Sequence, residues 1–344
     1  MTHTETQPTN GTLVCLRDLC VNYKTRLGEV SAVDSVSFDI HRGEILGLVG
    51  ESGCGKSTMG RALMRMIAPP GYIARGEILF DGEDVMTYDQ ARLRDFRGRR
   101  VSMIFQDPMT SLNPVQRIDD HVVEAIQVHE PQTPLQRALG RAKDLAERLG
   151  IRAERLNNYP HQLSGGMRQR VMISLGLVLN AELVVADEAT TSLDVIVEAN
   201  LLDQLRALRD DFGVSILLIT HNIALVAEVA DRIAVMYAGR MAEIGSVYEV
   251  FDEPLHPYTR GLLRSVPNIR LDDEEELYKM PGEPPNLTHP PSGCRFHPRC
   301  RRAMPICKAQ QPPVRDTGGG RLVQCWLYAR DDIPAGAAGR EVSQ

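Results

Sequence analysis

Four short apolar runs punctuate the chain, and each stops at a polar or glycine segment of distinct chemistry. Residues 44–49 (Glu44-Ile45-Leu46-Gly47-Leu48-Val49) run into Gly50, and Val101-Ser102-Met103-Ile104-Phe105 stops at Gln106. Leu183-Val184-Val185-Ala186 stops at Asp187-Glu188, and Val214-Ser215-Ile216-Leu217-Leu218-Ile219 ends in Thr220-His221. Runs this short and this continuous read as strands covered on both faces, as in a parallel sheet. Between them the period changes. Met59, Leu63, Met64 and Ile67 recur at helical spacing, as do Val122, Val123, Ile126 and Val128, and later Leu145, Leu149 and Ile151.

This patterning predicts an α/β fold. Residues 13–105 alternate strands and turns before a strand–loop–helix unit. A mostly helical subdomain follows over about 107–179, and strand–helix alternation returns from Leu183 to about Val247. The expected boundaries are a disordered tail over 1–11, a main domain over 12–265, an extension over 266–334 and a disordered tail over 335–344. Pro281 to Pro291 contains five prolines and reads as a rigid connector. The acidic run Asp272 to Glu276 and the basic stretch Arg92 to Arg100 read as solvated surface, the latter on a helix.

Polar residues at the ends of core strands are where ligands bind in open α/β sheets. The segment Gly50-Glu51-Ser52-Gly53-Cys54-Gly55-Lys56-Ser57-Thr58 fits G-x-x-x-x-G-K-[ST] between a strand and a helix start. Unpaired N–H groups and the helix dipole favour an anion there, and the glycines let backbone approach phosphate oxygens. Lys56 is expected to reach the β- and γ-phosphates of ATP, with the Ser57 hydroxyl on Mg²⁺ and Thr58 adding a hydroxyl contact. Asp187 is the expected Mg²⁺ partner and Glu188 the general base for an attacking water. His221 is placed to hold the γ-phosphate and that water in line. A second anion site is written into Leu163-Ser164-Gly165-Gly166-Met167-Arg168-Gln169, where a Ser hydroxyl and Gly amides stand at a helix start.

One chain does not need two such sites for one phosphate. The segment from Leu163 resembles the signature sequence of ATP-binding cassette (ABC) ATPases, and that resemblance supplies the reason. The signature of one subunit faces the phosphate loop of another, so Ser164, Gly165, Gly166 and Met167 would cap nucleotide held by a second ATPase, identical or sibling. The resemblance implies a RecA-like core with N-terminal antiparallel strands and a helical subdomain carrying the signature. It also implies that Gln106 contacts Mg²⁺ and the water and senses a membrane partner. Asp194, in Ser192-Leu193-Asp194, would cross the dimer interface, and Tyr23 would stack on adenine; a tyrosine in an early strand could equally be packing. Many relatives carry Pro after the Asp-Glu pair, where this chain has Ala189, which leaves the following turn less fixed.

Beyond the cassette, Pro254-Leu255-His256-Pro257-Tyr258-Thr259, Met280-Pro281-Gly282-Glu283-Pro284-Pro285 and Cys294-Arg295-Phe296-His297-Pro298-Arg299-Cys300 look like the C-terminal extension of dipeptide, oligopeptide and nickel importer ATPases. Such a motor would hydrolyse ATP to drive uptake. It would sit on the cytoplasmic face of the membrane with two transmembrane permease subunits, served by an extracytoplasmic binding protein. Peptides lead as cargo, with oligosaccharides or nickel complexes as alternatives. An ABC ATPase acting on DNA or ribosomes, or a redox-sensing one, is the rival class.

Of seven cysteines, Cys15, Cys20 and Cys54 are scattered and read as packing residues. Cys294, Cys300, Cys307 and Cys325 crowd the extension as C-x5-C-x6-C-x17-C. Four thiolates could hold a [4Fe–4S] cluster or tetrahedral zinc, or no metal at all. Some importer relatives carry a [4Fe–4S] cluster on matching cysteines, far in sequence from the ATP chemistry, which suggests a structural or docking role. The chain's 344 residues are 43% hydrophobic and 24% charged, a globular composition. A net charge of −6 with no dominant basic stripe argues against nucleic acid as partner. No apolar run reaches the roughly 18 residues of a membrane span.

Overall fold

A computed structural model describes residues 11–26, 28–105, 112–188, 195–265 and 280–332, the side chains of 195–201 and of Arg330 excepted. Residues 1–10 of the expected tail 1–11, the expected tail 335–344, the acidic run 272–276, Gln106 and the segment Ala189–Asp194 lie outside the described residues. The chain forms two compact units. One comprises residues 1–39, 46–82 and 220–344, and the other comprises 40–45 and 83–219.

The first unit opens with β1 (Thr12–Thr25) and β2 (Gly28–His41), and β1 also pairs antiparallel with β4 (Gly71–Phe80), giving the order β2-β1-β4. The apolar run before Gly50 forms β3 (Ile45–Val49), buried along its whole length. It pairs in parallel with β9 (Arg232–Tyr237), with Leu46 opposite Arg232. The partner of β9 on its other side is β10 (Arg240–Ser246), antiparallel, through the two-residue turn Ala238-Gly239. Both turn residues have positive φ, +48° and +83°, as a tight hairpin turn of this hand requires.

The helices of this unit begin at sequence-encoded caps. Helix α1 (Lys56–Leu63) starts at Gly55 in the left-handed region, and Met59 and Leu63 are buried as the period predicts. The helix stops at Leu63, so Ile67 falls beyond it. Asn222 caps α7 (Ile223–Val229), and Ser246 with Glu249 forms a reciprocal capping box on α8 (Val247–Asp252). His256 caps α9 (Pro257–Arg264), which has proline in its first turn.

The second unit carries the two-residue β5 (Glu83–Asp84) and then β6 (Val101–Ile104), β7 (Leu183–Asp187) and β8 (Ser215–Thr220), the last three paired in parallel in the order β8-β7-β6. Strands β7 and β8 are buried at every position, as continuous apolar runs require. The helices α3 (Ile118–His129), α4 (Leu135–Arg148) and α5 (Gly165–Leu177) fill the predicted helical stretch, and α6 (Val195–Phe212) links β7 to β8. The basic stretch differs from expectation. Helix α2 (Gln90–Asp95) ends before it is complete, and Arg97 and Gly98 are not helical. Its arginines are paired rather than merely solvated, Arg92 with Glu83, Arg99 with Asp95 and Arg100 with Glu182.

The extension does not stand apart from the cassette strands. Its short strands β11 (Arg315–Asp316) and β12 (Leu322–Val323) continue the first unit's sheet as β11-β12-β10-β9-β3. Glu243 lies opposite Val323. Its carboxylate is wholly buried and accepts the backbone N–H groups of Leu255 at 2.9 Å and His256 at 2.9 Å, and Arg321 Nη2 at 2.9 Å. Arg321 also donates to the Glu253 carbonyl. Removing one partner of a buried, hydrogen-bonded ion pair leaves the other charge uncompensated. Arg321→Ala is therefore expected to cost about 3 kcal/mol, read as a lowered midpoint in denaturant unfolding.

Candidate functional site

Local packing fixes the loop Gly50–Thr58. Gly50 has φ +156°, and a methyl group there would sit 2.1 Å from the Met236 carbonyl oxygen. Gly55 has φ +108°, and a methyl would fall 2.2 Å from the Ala32 carbonyl oxygen. Glycine is thus required at both places by space as well as by φ. The Cys54 carbonyl accepts the Gly239 N–H at 2.8 Å, tying the loop to the β9–β10 turn. Lys56 is 3% exposed, and its Nζ donates to the carbonyls of Gly50 at 2.8 Å and Glu51 at 3.2 Å. The loop therefore curls around its own ammonium group.

Glu51 is engaged at every polar group. Its N–H donates to the Tyr258 hydroxyl at 3.0 Å, and its carbonyl accepts Lys56. Its carboxylate takes a two-pronged pair of bonds from Arg299, Nη1 at 2.7 Å and Nη2 at 2.9 Å. Tyr258 is fully buried, and burial raises its hydroxyl pKa well above the ordinary tyrosine value, so the hydroxyl stays protonated. Cys54 is buried as expected of a packing residue. Cys20 is buried too, but its sulfur is a polar hub, accepting the Ser35 N–H at 3.1 Å and Arg75 Nε at 3.0 Å.

The remaining predicted residues divide between the units. Tyr23 and His221 belong with the loop in the first unit, while Ser164–Met167, Asp187 and Glu188 belong to the second. Tyr23 is half-buried on β1 opposite Gly71, and its ring lies where a Gly71 methyl would come within 2.6 Å of it. His221 is exposed, directly between β8 and α7. Asp187 is buried at the end of β7, with an oxygen donor of the kind that hard cations prefer. Glu188 follows with φ +47°, its N–H bonded to the Ile219 carbonyl at 2.8 Å. A glutamate held in the left-handed region is strained, and such strain gathers at functional sites. Ser164 caps α5, accepting the Met167 N–H at 3.4 Å, and both Ser164 and Gly165 are exposed. Gln106 and Asp194 lie outside the described residues.

Comparison with known proteins follows these motifs. The profile of the ABC transporter family matches residues 33–191, and that of the oligopeptide/dipeptide transporter C-terminal region matches residues 242–307. The oligopeptide transport ATP-binding protein OppD of Bacillus subtilis (strain 168) is 45% identical over 93% of this chain and 90% of its own length. The chain belongs to the ABC transporter ATP-binding proteins. The dipeptide transport ATP-binding protein DppD of the same organism is 42% identical over 92% of the chain and 94% of its own length. Among solved structures, the dimeric post-hydrolysis cassette MJ0796 bound to ADP and Pi matches with TM-score 0.61 at 25% identity, over 68% of this chain and 98% of that one. The cassette cbiO1 from Clostridium perfringens, part of the ABC transporter complex cbiONQ, matches with TM-score 0.62 at 26% identity, over 71% and 92%. This ABC protein is an ATPase.

The four extension cysteines converge. Cys294, Cys300, Cys307 and Cys325 all line one cleft of about 310 Å³, which includes space open to solvent. Burial pushes Cys294 up to about 11 and Cys325 up to about 12, and it raises Cys300 and Cys307 as well. The charges of the other three thiols raise Cys325 further. Among the described residues, no three His, Cys, Asp or Glu side chains are grouped to hold a metal ion. The module is far in sequence from the loop but not in space, because Arg299 sits one residue before Cys300 and grips Glu51.

Sequence reasoning missed Arg299, Arg295, Tyr258 and the Ala238-Gly239 turn as supports of the loop. Three of these residues stand in the extension segments that carry the family resemblance, but nothing in their spacing names the groups they reach. Gly55→Ala is expected to abolish nucleotide binding and cost about 3 kcal/mol through backbone strain and overlap. Gly53, at φ +76° with no atom within 4 Å of an added methyl, should tolerate alanine at about 1 kcal/mol. Titration of a fluorescent ATP analogue into both variants, with thermal melts, checks the contrast.

Proposed function

We propose that this ABC ATPase powers uptake of oligopeptides or dipeptides through a membrane importer. The observation that carries the reading is the pair of helix starts. One chain offers a phosphate loop at the start of α1 and an exposed Ser164-Gly165 cap at the start of α5, and the resemblance to ABC ATPases pairs each with its counterpart on a second chain. The transport names of OppD and DppD, at 45% and 42% identity, support peptides as the cargo class. The match of the oligopeptide/dipeptide C-terminal profile to residues 242–307 supports it too.

In this mechanism Tyr23 stacks on adenine. Residues Gly50, Glu51, Ser52, Gly53, Cys54, Gly55, Lys56, Ser57 and Thr58 form the phosphate cradle, with Lys56 exchanging the loop carbonyls for phosphate oxygens. Ser57, Gln106 and Asp187 would hold Mg²⁺, which screens phosphate charge when bound; their oxygen donors suit a hard cation. Ser164, Gly165, Gly166 and Met167 of a second ATPase close over the γ-phosphate, and Asp194 crosses the interface. Glu188 takes a proton from the attacking water as its oxygen bonds to the γ-phosphorus. The bond to the bridging oxygen then breaks, leaving ADP and phosphate, with His221 holding water and phosphate in line. ATP closes the pair only through its higher affinity for the closed state, and hydrolysis reopens it.

Among the described residues no helix is long and apolar enough to cross a membrane. The chain then acts peripherally, on the cytoplasmic face, docked on two permease subunits near Gln106 and fed by an extracytoplasmic binding protein. Cys294, Cys300, Cys307 and Cys325, which line one cleft, would hold a [4Fe–4S] cluster through their thiolates. When bound, the cluster would tie together four segments of the extension. Because the thiols are held protonated by burial, loading would release protons.

Glu188→Gln should keep ATP binding but trap a closed dimer, seen by size-exclusion chromatography with ATP; turnover at the wild-type rate would remove Glu188 as the base. Lys56→Ala should weaken ATP binding itself, and unchanged affinity would mean the cradle is misassigned. Anaerobically purified protein should be brown and contain iron and sulfide. A colourless, iron-free preparation would end the cluster reading and leave the motor intact.

A further inference from the structure

The extension reaches the phosphate loop by two arginines that stand four residues apart. Arg299, whose side chain is 6% exposed, places its fork on the Glu51 carboxylate at 2.7 and 2.9 Å. The guanidinium is itself fixed. Its Nε donates to the Pro281 carbonyl at 2.9 Å, its Nη1 also donates to the Tyr237 hydroxyl at 3.3 Å, and it lies 5.7 Å from the centre of the Tyr237 ring. Arg295 donates to the Ala238 carbonyl and to Asp34. The adjoining Gly239 N–H binds the Cys54 carbonyl, so this second arginine braces the loop through the turn. Between them Phe296 packs edge-on against Tyr237 at 5.1 Å and against Tyr258 at 5.5 Å, and Tyr258 accepts the Glu51 N–H.

We propose that Arg299 is a positioning residue for nucleotide: by clamping Glu51 it sets the path of the phosphate loop, and so the affinity for ATP. The proposal rests on the reading of Gly50–Thr58 as the ATP cradle. Lys56 takes two loop carbonyls as partners, and one of them belongs to Glu51. A shift of Glu51 therefore moves the ammonium that must meet the β- and γ-phosphates, and small displacements of positioned groups have large effects. The clamp also makes the cradle depend on the extension, because the same short turn, His297–Arg299, is bounded by Cys294 and Cys300. Arginine is required there, since lysine keeps the charge but cannot make the two-pronged contact.

The test uses the full-length chain in its assembled transporter, with methylanthraniloyl-ATP for affinity and ATP for steady-state kinetics. Arg299→Lys and Glu51→Gln should each raise the nucleotide Kd and the KM for ATP about three- to tenfold, and Arg299→Lys should keep kcat at saturation within about twofold. The double variant should be no worse than the weaker single, because both remove one contact. A purely structural role would lower the melting temperature and the active fraction while leaving KM unchanged, and that result overturns the proposal. So does unchanged affinity in Arg299→Lys, or penalties that multiply in the double variant. If Arg299→Lys fails to fold, Glu51→Gln reads the same contact from the loop side, and unchanged affinity there is equally decisive. Lys56→Ala run in parallel separates the two readings. Normal binding in that variant sinks the cradle itself, whereas impaired binding there with normal Arg299→Lys sinks only the clamp.

Discussion

A buried ammonium needs oxygen atoms around it, and in this chain the phosphate loop supplies them from its own backbone. Lys56 is surrounded by the carbonyls of Gly50 and Glu51, and that demand shapes the loop before any ligand arrives. The curl is possible only because Gly50 and Gly55 press against the carbonyls of Met236 and Ala32, where a side chain has no room. The outer side of the curl is then held by groups from elsewhere: the Tyr258 hydroxyl, the Arg299 guanidinium and the Gly239 N–H. The loop proposed to take the phosphate chain is thus kept in shape by neutral and charged hydrogen bonds that leave the ammonium on the inside of the loop.

The core strands and the helix starts at Gly55 and Ser164 were legible because both are local in character. Apolar runs located β3, β6, β7 and β8 to within a residue, since a strand covered on both faces has no freedom to be polar. The phosphate loop and the Ser164 cap announce themselves because a helix start has unmet N–H groups that only a few residue types satisfy. What escaped is what depends on distant partners. Glu51 and Arg299 are 248 residues apart, and their pairing follows from where β10 and the extension lie. The two-residue strands β11 and β12 carry no periodicity at all; they exist because β10 has an edge to offer. The arginines of residues 92–100 looked like a solvated helix because charge alone does not reveal acids such as Glu182 across the fold.

The cysteines show the same division. Their number and crowding in the extension are plain in the sequence, and their convergence on one cleft is a property of the folded module. Two of them bracket the segment whose arginines grip and brace the phosphate loop, so a region that looked remote from ATP chemistry is joined to it by direct hydrogen bonds.

The strand pairing of β12 on β10 has one more consequence. A sheet edge with a free row of donors and acceptors invites any extended chain to join it. Here the protein's own C-terminal region occupies that row, and the carboxylate of Glu243, buried beneath it, pairs with Arg321 from that region. A version shortened to the bare cassette would uncover that row on β10 and leave the Glu243 carboxylate to the N–H groups of Leu255 and His256, so the extension covers an edge of the kind that invites pairing between copies.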